Sequence, residues 1–229
     1  MKRFFLLLLS VVIAVTAVAE KTAKRLKPLK GRIVVLTFDD ATAGQREVVA
    51  PLLHKYGFGA TFYVCEFPGF EDKTKYMSWD QIRELDEMGF EIGNHSRSHG
   101  QMSQMTRKQI GSETAYIEEK CALYGIPRPV TYAYPGYDNS HGGDKPYVKG
   151  VSDKMLMPSY GVVDARFETP EFFEKALDEA RDGQVVIFCL HGVPDLAHDF
   201  VSTSPENFEK LLSMLKERKC KVISMRDLL

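Results

Sequence analysis

Two pairs of side chains in this sequence have the types and spacing of a hydrolytic metal site. Asp39 and Asp40 are adjacent, and His95 and His99, four residues apart, follow about 55 residues later. One carboxylate and two imidazoles bind a zinc-type ion and leave positions open for water and a substrate oxygen. The remaining carboxylate can then act as a base. Together the four residues predict a three-ligand metal centre with a free carboxylate beside it.

The apolar runs of the chain place both pairs at the ends of predicted strands. Residues 31–38 have the composition of a buried strand, and the two aspartates follow its carboxyl end. Residues 90–94 form a second short run, and His95 follows it directly. Functional sites of α/β folds form at this end of the sheet. We therefore expect the aspartates and histidines to meet there.

Strand-like runs alternate with capped amphipathic segments along the chain. This alternation predicts parallel strands joined by right-handed crossovers in a single α/β domain. A closed or nearly closed (β/α) barrel fits better than an open doubly wound sheet, which would carry a glycine-rich turn after its first strand. The predicted strands are 31–38, 60–64, 90–94, 130–134, 185–190 and 221–225, and the predicted helices are 45–56, 78–88, 106–124, 169–181 and 205–219.

Residues 1–19 have the features of a secretory signal peptide. Lys2 and Arg3 precede an apolar run, and Ala17-Val18-Ala19 is a small-x-small cleavage site. The alternative, an uncleaved anchor, is disfavoured because the run is shorter than the ~20 residues of a membrane span. We expect an exported protein, periplasmic or extracellular, with no stable membrane anchor after cleavage. Residues 20–31 then form a basic linker, and the domain covers 32–229.

The charge balance argues against a nucleic-acid partner. Without residues 1–19 the chain has 28 basic and 31 acidic side chains, whereas a surface that binds phosphates would be basic. The four cysteines fit neither a zinc ribbon nor a CxxC redox motif. Cys189 is expected to be a buried thiol. The sequence leaves open whether Cys65, Cys121 and Cys220 form a disulfide.

Four short motifs occur in a recognisable order. Thr-Phe-Asp-Asp at a strand end is followed by His-Ser-x-x-His, by Tyr-Pro-Gly and by Leu-His at a late strand end. This succession resembles the polysaccharide deacetylases, also called the NodB homology family or carbohydrate esterase family 4. The resemblance spans about residues 32–229 and implies a distorted (β/α) barrel with catalytic function.

The resemblance also implies a role for individual residues. In that family the first aspartate is the general base, the second aspartate and both histidines bind the metal, and the late histidine is the general acid. The implied site consists of the base Asp39, the metal ligands Asp40, His95 and His99, the acid His191, and an oxyanion donor at the N–H of Gly136. It would hold one divalent ion, with zinc favoured, that polarises an acetyl carbonyl and acidifies a water.

Several positions depart from the family pattern. Ala133 stands where many members have an arginine that pairs with the base, and Arg166 is a candidate replacement for that cation. The usual glycine after the aspartate pair is Ala41. The Asp-Trp fourth motif is not recognisable, so the group that orients His191 is not identified.

Two long irregular stretches, 66–77 and 137–160, follow strand ends and are expected to border the site. Tyr137, at the start of the second, is a candidate for stacking on a sugar ring. His198, in a loop, is expected to be structural or exposed to solvent.

The function predicted from these features is removal of acetyl groups from a glycan by an exported, metal-dependent hydrolase. N-acetyl groups of an amino sugar are favoured over O-acetyl esters, because His191 can protonate the poorer leaving group. The alternative is a non-catalytic glycan-binding member of the same fold. Hydrolysis of a small amide or cyclic ureide is disfavoured by the predicted export.

Overall fold

The computed structural model of the protein describes residues 31–137, 159–164, 170–179 and 185–229. The predicted signal peptide, residues 20–30 of the linker, most of the stretch 137–160 and Arg166 lie outside the described residues. No helix in the described parts of the chain is long and apolar enough to cross a membrane.

The described elements alternate as the sequence predicts. The strands are β1 Ile33–Phe38, β2 Thr61–Val64, β3 Glu91–Asn94, β4 Ser159–Asp164, β5 Val185–Leu190 and β6 Lys221–Ile223. The α-helices are α1 Ala50–Tyr56, α2 Trp79–Glu87, α3 Arg107–Leu123, α4 Pro170–Glu179 and α5 Pro205–Glu217. A π-helical segment, Gln45–Val49, leads into α1, and 3₁₀ turns occur at Met102–Gln104, Pro135–Tyr137, Asp199–Val201 and Met225–Leu228.

All strand pairs described are parallel, in the order β3-β2-β1-β5-β4. The remaining strand, β6, also pairs with β1. It takes the first half of β1, from Ile33 to Val35, whereas β2 pairs only with Thr37 and Phe38. The parallel sheet and its helices confirm the predicted α/β fold, and the described strands do not close the barrel.

The two faces of the sheet pack against different neighbours. In β1 the side chains of Val34, Leu36 and Phe38 join the large core formed with the helices. Ile33 and Val35 join a smaller cluster on the opposite, inner face. Successive side chains of a strand point to opposite faces. By this alternation Asp39, the first residue after β1, is directed towards the inner face, like Ile33 and Val35.

Helix starts follow the capping residues that the sequence contains. At α2 the Ser78 hydroxyl accepts the N–H of Gln81 over 3.2 Å, and the Gln81 side chain accepts the N–H of Ser78 over 2.8 Å. Thr106 and Gln109 form the same reciprocal pair at α3. Each capping box satisfies two backbone donors that the helix itself leaves without partners.

Two predicted features of the chain differ from the structure. Residues 130–134 are not a strand, because they form only one isolated bridge, between Asn94 and Tyr132. Pro129 and Pro135 flank the segment, and proline has no N–H to extend the ladder. In addition, β4 was not predicted, since residues 137–160 were expected to be irregular as far as Tyr160.

The cysteines are thiols in buried positions. Cys65, Cys121, Cys189 and Cys220 are not joined by disulfides. The expectation that Cys189 is a buried thiol is therefore confirmed. The other three cysteines, whose pairing the sequence left open, are thiols as well.

Candidate metal and catalytic site

Asp39 and His191 lie next to each other at the carboxyl ends of β1 and β5, which pair along their whole length. The N–H of Asp39 donates to the carbonyl of Leu190 over 2.9 Å and continues the ladder by one residue. The buried amide of Gln45 then donates to the carbonyls of Asp39 and His191, the second over 3.2 Å. One side chain thus fixes the backbone at both strand ends.

The backbone changes direction immediately after Asp39. Asp40 has φ 72° and Ala41 has φ 54°, both in the left-handed region. A residue with a Cβ atom costs roughly 1–2 kcal/mol there, and aspartate tolerates it better than most. This explains why glycine is usual at the position of Ala41. The turn takes the Asp40 carboxylate out of the strand alternation and towards the end of β3.

The carboxylate of Asp40 meets both histidines of the second motif. Its Oδ1 atom lies 3.4 Å from the Nε2 atom of His95 and 3.4 Å from the Nε2 atom of His99. One ligand atom from each of the three residues lies within 4.8 Å of the other two. His99 itself has φ 55°, another strained backbone conformation of the kind that collects at functional sites. The three predicted ligands are therefore brought together.

The state of His95 fits a metal ligand. Its Nδ1 atom lies 2.9 Å from the carbonyl of Ala133, so in the neutral ring Nδ1 carries the hydrogen and Nε2 has the lone pair that a metal ion needs. That Nε2 atom is buried and has no hydrogen-bond partner. Carboxylate oxygen and imidazole nitrogen are both good zinc ligands. A divalent ion held by Asp40, His95 and His99 would satisfy this buried nitrogen.

The electrostatics of the cluster also favour a cation. Burial alone would lower the pKa of His95, but Asp39 and Asp40 outweigh it and raise this pKa to about 9. Burial would raise the pKa of Asp40, yet the neighbouring His95 and the charges of His191 and His99 hold it well below its ordinary value. The pKa of His99 falls to about 4, through burial and then through the charge of His95. The two carboxylates thus stabilise one positive charge within the cluster. A bound metal ion would supply that charge.

Asp39 faces the cluster without belonging to the three-ligand group. Its Oδ2 atom lies 3.8 Å from the Nε2 atom of His95 and 3.5 Å from the thiol of Cys189. Burial raises the pKa of Asp39, Asp40 adds to the effect, and His95 and His191 oppose it. A carboxylate with a raised pKa is a better proton acceptor than an ordinary one. No ion pair to an arginine is present at Asp39 within the described residues.

The other predicted site residues are only partly described. His191 has its Nε2 atom 3.9 Å from Oδ2 of Asp40, so it borders the same cluster. Gly136 is exposed, with φ 59°, in the turn that follows Ala133. Only the backbone of Tyr137 is described, and Arg166 lies outside the described residues. The proposed replacement of the family arginine by Arg166 stays a prediction.

Two residues of the site were not predicted from the sequence. Gln45 is fully buried beneath the ends of β1 and β5. His198, expected to be structural or exposed to solvent, is buried with its Nδ1 atom 3.6 Å from Oδ2 of Asp40. The available signal was the Asp195-x-x-His198 spacing shortly after His191.

Comparisons with solved structures place this arrangement in a known fold. The Xyl-CE4 domain of a multidomain xylanase from the hindgut metagenome of Trinervitermes trinervoides has a TM-score of 0.60 and 17% identity, with 86% of this chain and 90% of that one covered. The peptidoglycan deacetylase PdaC from Bacillus subtilis has a TM-score of 0.59 and 17% identity, with 89% and 92% covered. A family 4 carbohydrate esterase pseudoenzyme from Bacillus anthracis has a TM-score of 0.61 and 17% identity, with 88% and 66% covered. At these identities the similarity establishes the fold alone.

The sequence itself identifies the family. No curated protein matches the chain significantly. The polysaccharide deacetylase profile, however, matches residues 26–142, more than half of the chain. The match contains the aspartate pair, His95 and His99, and it ends before His191. The chain therefore belongs to the polysaccharide deacetylase family.

Proposed function

We propose that this protein is a metal-dependent hydrolase that removes acetyl groups from a polysaccharide or oligosaccharide. The observation that carries the proposal is the convergence of Asp40, His95 and His99 on one another, with Asp39 and His191 beside them. This set contains three ligand atoms, a carboxylate outside the ligand group and a further imidazole. Metal-assisted hydrolysis of an amide or ester uses groups of each of these kinds.

Each side chain has a distinct part in the proposed reaction. A divalent ion held by Asp40, His95 and His99 would supply a Lewis acid that polarises the acetyl carbonyl and lowers the pKa of water. Asp39, whose carboxylate is buried and has a raised pKa, accepts the proton of the attacking water. His191 donates a proton to the leaving amine or alcohol. The N–H of Gly136 is the proposed donor to the tetrahedral oxyanion.

The substrate proposed is an acetylated glycan outside the cytoplasm, with N-acetyl amino sugars ahead of O-acetyl esters. The predicted signal peptide 1–19 supports export, and an exported hydrolase encounters polymers. Phe200 is exposed and its ring centroid lies 6.2 Å from that of His198, so it offers an aromatic face close to the site. A protonated His191 is needed more for an amine than for an alcohol leaving group.

Acetate release tests the proposal directly. With added Zn²⁺, the mature chain should release acetate from oligomers of an N-acetylated amino sugar faster than from acetylated xylan. Acetate from xylan alone would reverse the order of the two substrate classes. Zinc bound at the site but no acetate from either polymer would contradict the enzymatic function.

His191→Ala should slow the release of an amine more than that of an activated phenol. General acid–base groups contribute roughly 10²–10⁴-fold to rate, and a phenolate leaves without protonation. The measurement compares kcat/KM of the variant and the parent on an N-acetylated oligomer and on an aryl acetate. Equal losses on both substrates would show that His191 acts structurally.

One observation favours a second candidate, a glycan-binding protein without turnover. Ala133 replaces the arginine expected beside the base, and no arginine ion pair takes its place at Asp39 in the described part of the chain. One structurally similar protein is a pseudoenzyme. For this candidate, glycan binding would persist in a protein that releases no acetate.

A further inference from the structure

His198 is a buried histidine beside the metal cluster for which the proposed mechanism has no role. The residue is 8% exposed. Its ring packs edge-on against Phe67, with 4.4 Å between the ring centroids. Its Nε2 atom lies 3.2 Å from the hydroxyl of Tyr76. These contacts fix the plane of the ring and leave Nδ1 as the atom that faces the site.

The Nδ1 atom of His198 faces two carboxylates. It lies 3.6 Å from Oδ2 of Asp40 and 3.7 Å from Oδ2 of Asp195, and it has no hydrogen-bond partner. Asp195 already accepts three backbone N–H groups, from Gly192 over 3.1 Å, Ala197 over 2.9 Å and His198 over 2.7 Å. Asp195 therefore anchors the segment through its backbone partners, and Oδ2 of Asp40 is the nearer of the two carboxylate oxygens available to the Nδ1 hydrogen.

The two oxygens of Asp40 have different surroundings. Oδ1 faces the Nε2 atoms of His95 and His99, which with Asp40 make up the proposed ligand set. Oδ2 points the other way, towards Nδ1 of His198 and Nε2 of His191. A donor at Oδ2 would keep Oδ1 directed at the histidines. Carboxylate ligands of metals are commonly held by outer hydrogen bonds of this kind.

We propose that His198 is a positioning residue of the metal site, which donates from Nδ1 to Oδ2 of Asp40 and so orients this carboxylate for the metal. The inference rests on the proposed metal site and adds a residue to it. Loss of such an outer partner typically weakens metal binding about 10–100-fold. The proposal explains why a buried imidazole is held by Phe67 and, at Nε2, by Tyr76, while its other nitrogen is directed at a proposed ligand.

Two amide substitutions test which nitrogen matters. His198→Asn keeps a donor close to the position of Nδ1, whereas His198→Gln moves the donor towards the position of Nε2. We expect Zn²⁺ affinity, measured by competition with a chromophoric chelator, to fall about 10–100-fold in His198→Gln. It should stay within about 3-fold of the parent in His198→Asn. The Co²⁺-substituted proteins should show a changed d–d absorption spectrum in the glutamine variant only.

Controls separate this proposal from a structural effect and from failure of the metal site itself. His54→Asn, an exposed histidine of α1, should leave Zn²⁺ affinity unchanged. Urea unfolding of the metal-free variants shows whether either one is destabilised. Equal affinity in the parent and both His198 variants would refute the positioning role alone, as would equal losses in the two variants. Complete loss of zinc in both would make His198 a ligand instead, and absence of zinc from the parent would refute the metal site as well.

Discussion

Asp40→Asn should lose the proposed metal ion and the proposed deacetylase activity together. Asp40 supplies the oxygen that lies 3.4 Å from both His95 and His99, so its charge is central to the cluster. An asparagine keeps the shape but removes the negative charge that stabilises a cation there. The loss of affinity should exceed the roughly 10–100-fold cost of removing an outer partner. Elemental analysis after dialysis, together with acetate release, measures both effects.

His99→Ala provides an independent test of the same ligand set. It removes one imidazole and leaves both carboxylates in place, so the expected result is again loss of the metal. His54→Ala serves as the control, because His54 is an exposed histidine of α1 outside the three-ligand group. Stoichiometric metal in both Asp40→Asn and His99→Ala would show that the ion, if any, binds elsewhere.

The convergence of Asp40, His95 and His99 could be predicted from the sequence because its signals are local. β1 and β3 are recognisable from composition, and the polar residues stand directly after each strand. In a parallel sheet those ends lie on the same edge, so proximity follows from the order of elements. The same reasoning places His191 after β5, whose predicted and observed bounds coincide.

The orientation of the carboxylates could not be predicted from the sequence. It depends on the left-handed conformations of Asp40 and Ala41, which an aspartate–alanine pair does not require. The sequence identified Ala41 only as a departure from the glycine that is usual at this position in the family. The structure shows instead that the turn is made despite a Cβ atom. It is tied down by the N–H of Met77, which donates to the carbonyl of Ala41 over 2.9 Å.

The part played by the segment after β5 was missed for a different reason. The approach of His198 to Asp40 depends on the fold of residues 192–201, which Asp195 organises through backbone hydrogen bonds. No periodic pattern in the sequence predicts the conformation of such a loop. The direction of a histidine side chain seven residues after the strand-end histidine therefore could not be inferred. β4 escaped prediction similarly, since its six residues contain a glycine and a register irregularity and lack a long apolar run.

Asp39→Asn should abolish turnover and leave the metal in place. Asparagine has nearly the shape of aspartate but accepts no proton from water, so the loss in kcat should be about 10²–10⁴-fold. Asp39 is not part of the three-ligand group, and its Oδ2 atom lies 3.8 Å from Nε2 of His95. Metal content and acetate release must be measured on the same preparation, because the variant is expected to retain the metal and to lose acetate release.

Cys189→Ala is the matched control for Asp39→Asn. The Cys189 thiol lies 3.5 Å from Oδ2 of Asp39, so its removal alters the surroundings of the carboxylate and leaves the proton acceptor intact. We expect less than about 10-fold loss of kcat, since a general base contributes its 10²–10⁴-fold through the carboxylate itself. If Asp39→Asn instead releases the metal, Asp39 is a ligand and the assignment of base and ligand within the aspartate pair is wrong. If Cys189→Ala loses as much turnover as Asp39→Asn, the polarity around the Asp39 carboxylate is the decisive property. The Cys189 thiol would then partly replace the arginine that pairs with the base in many members of the family.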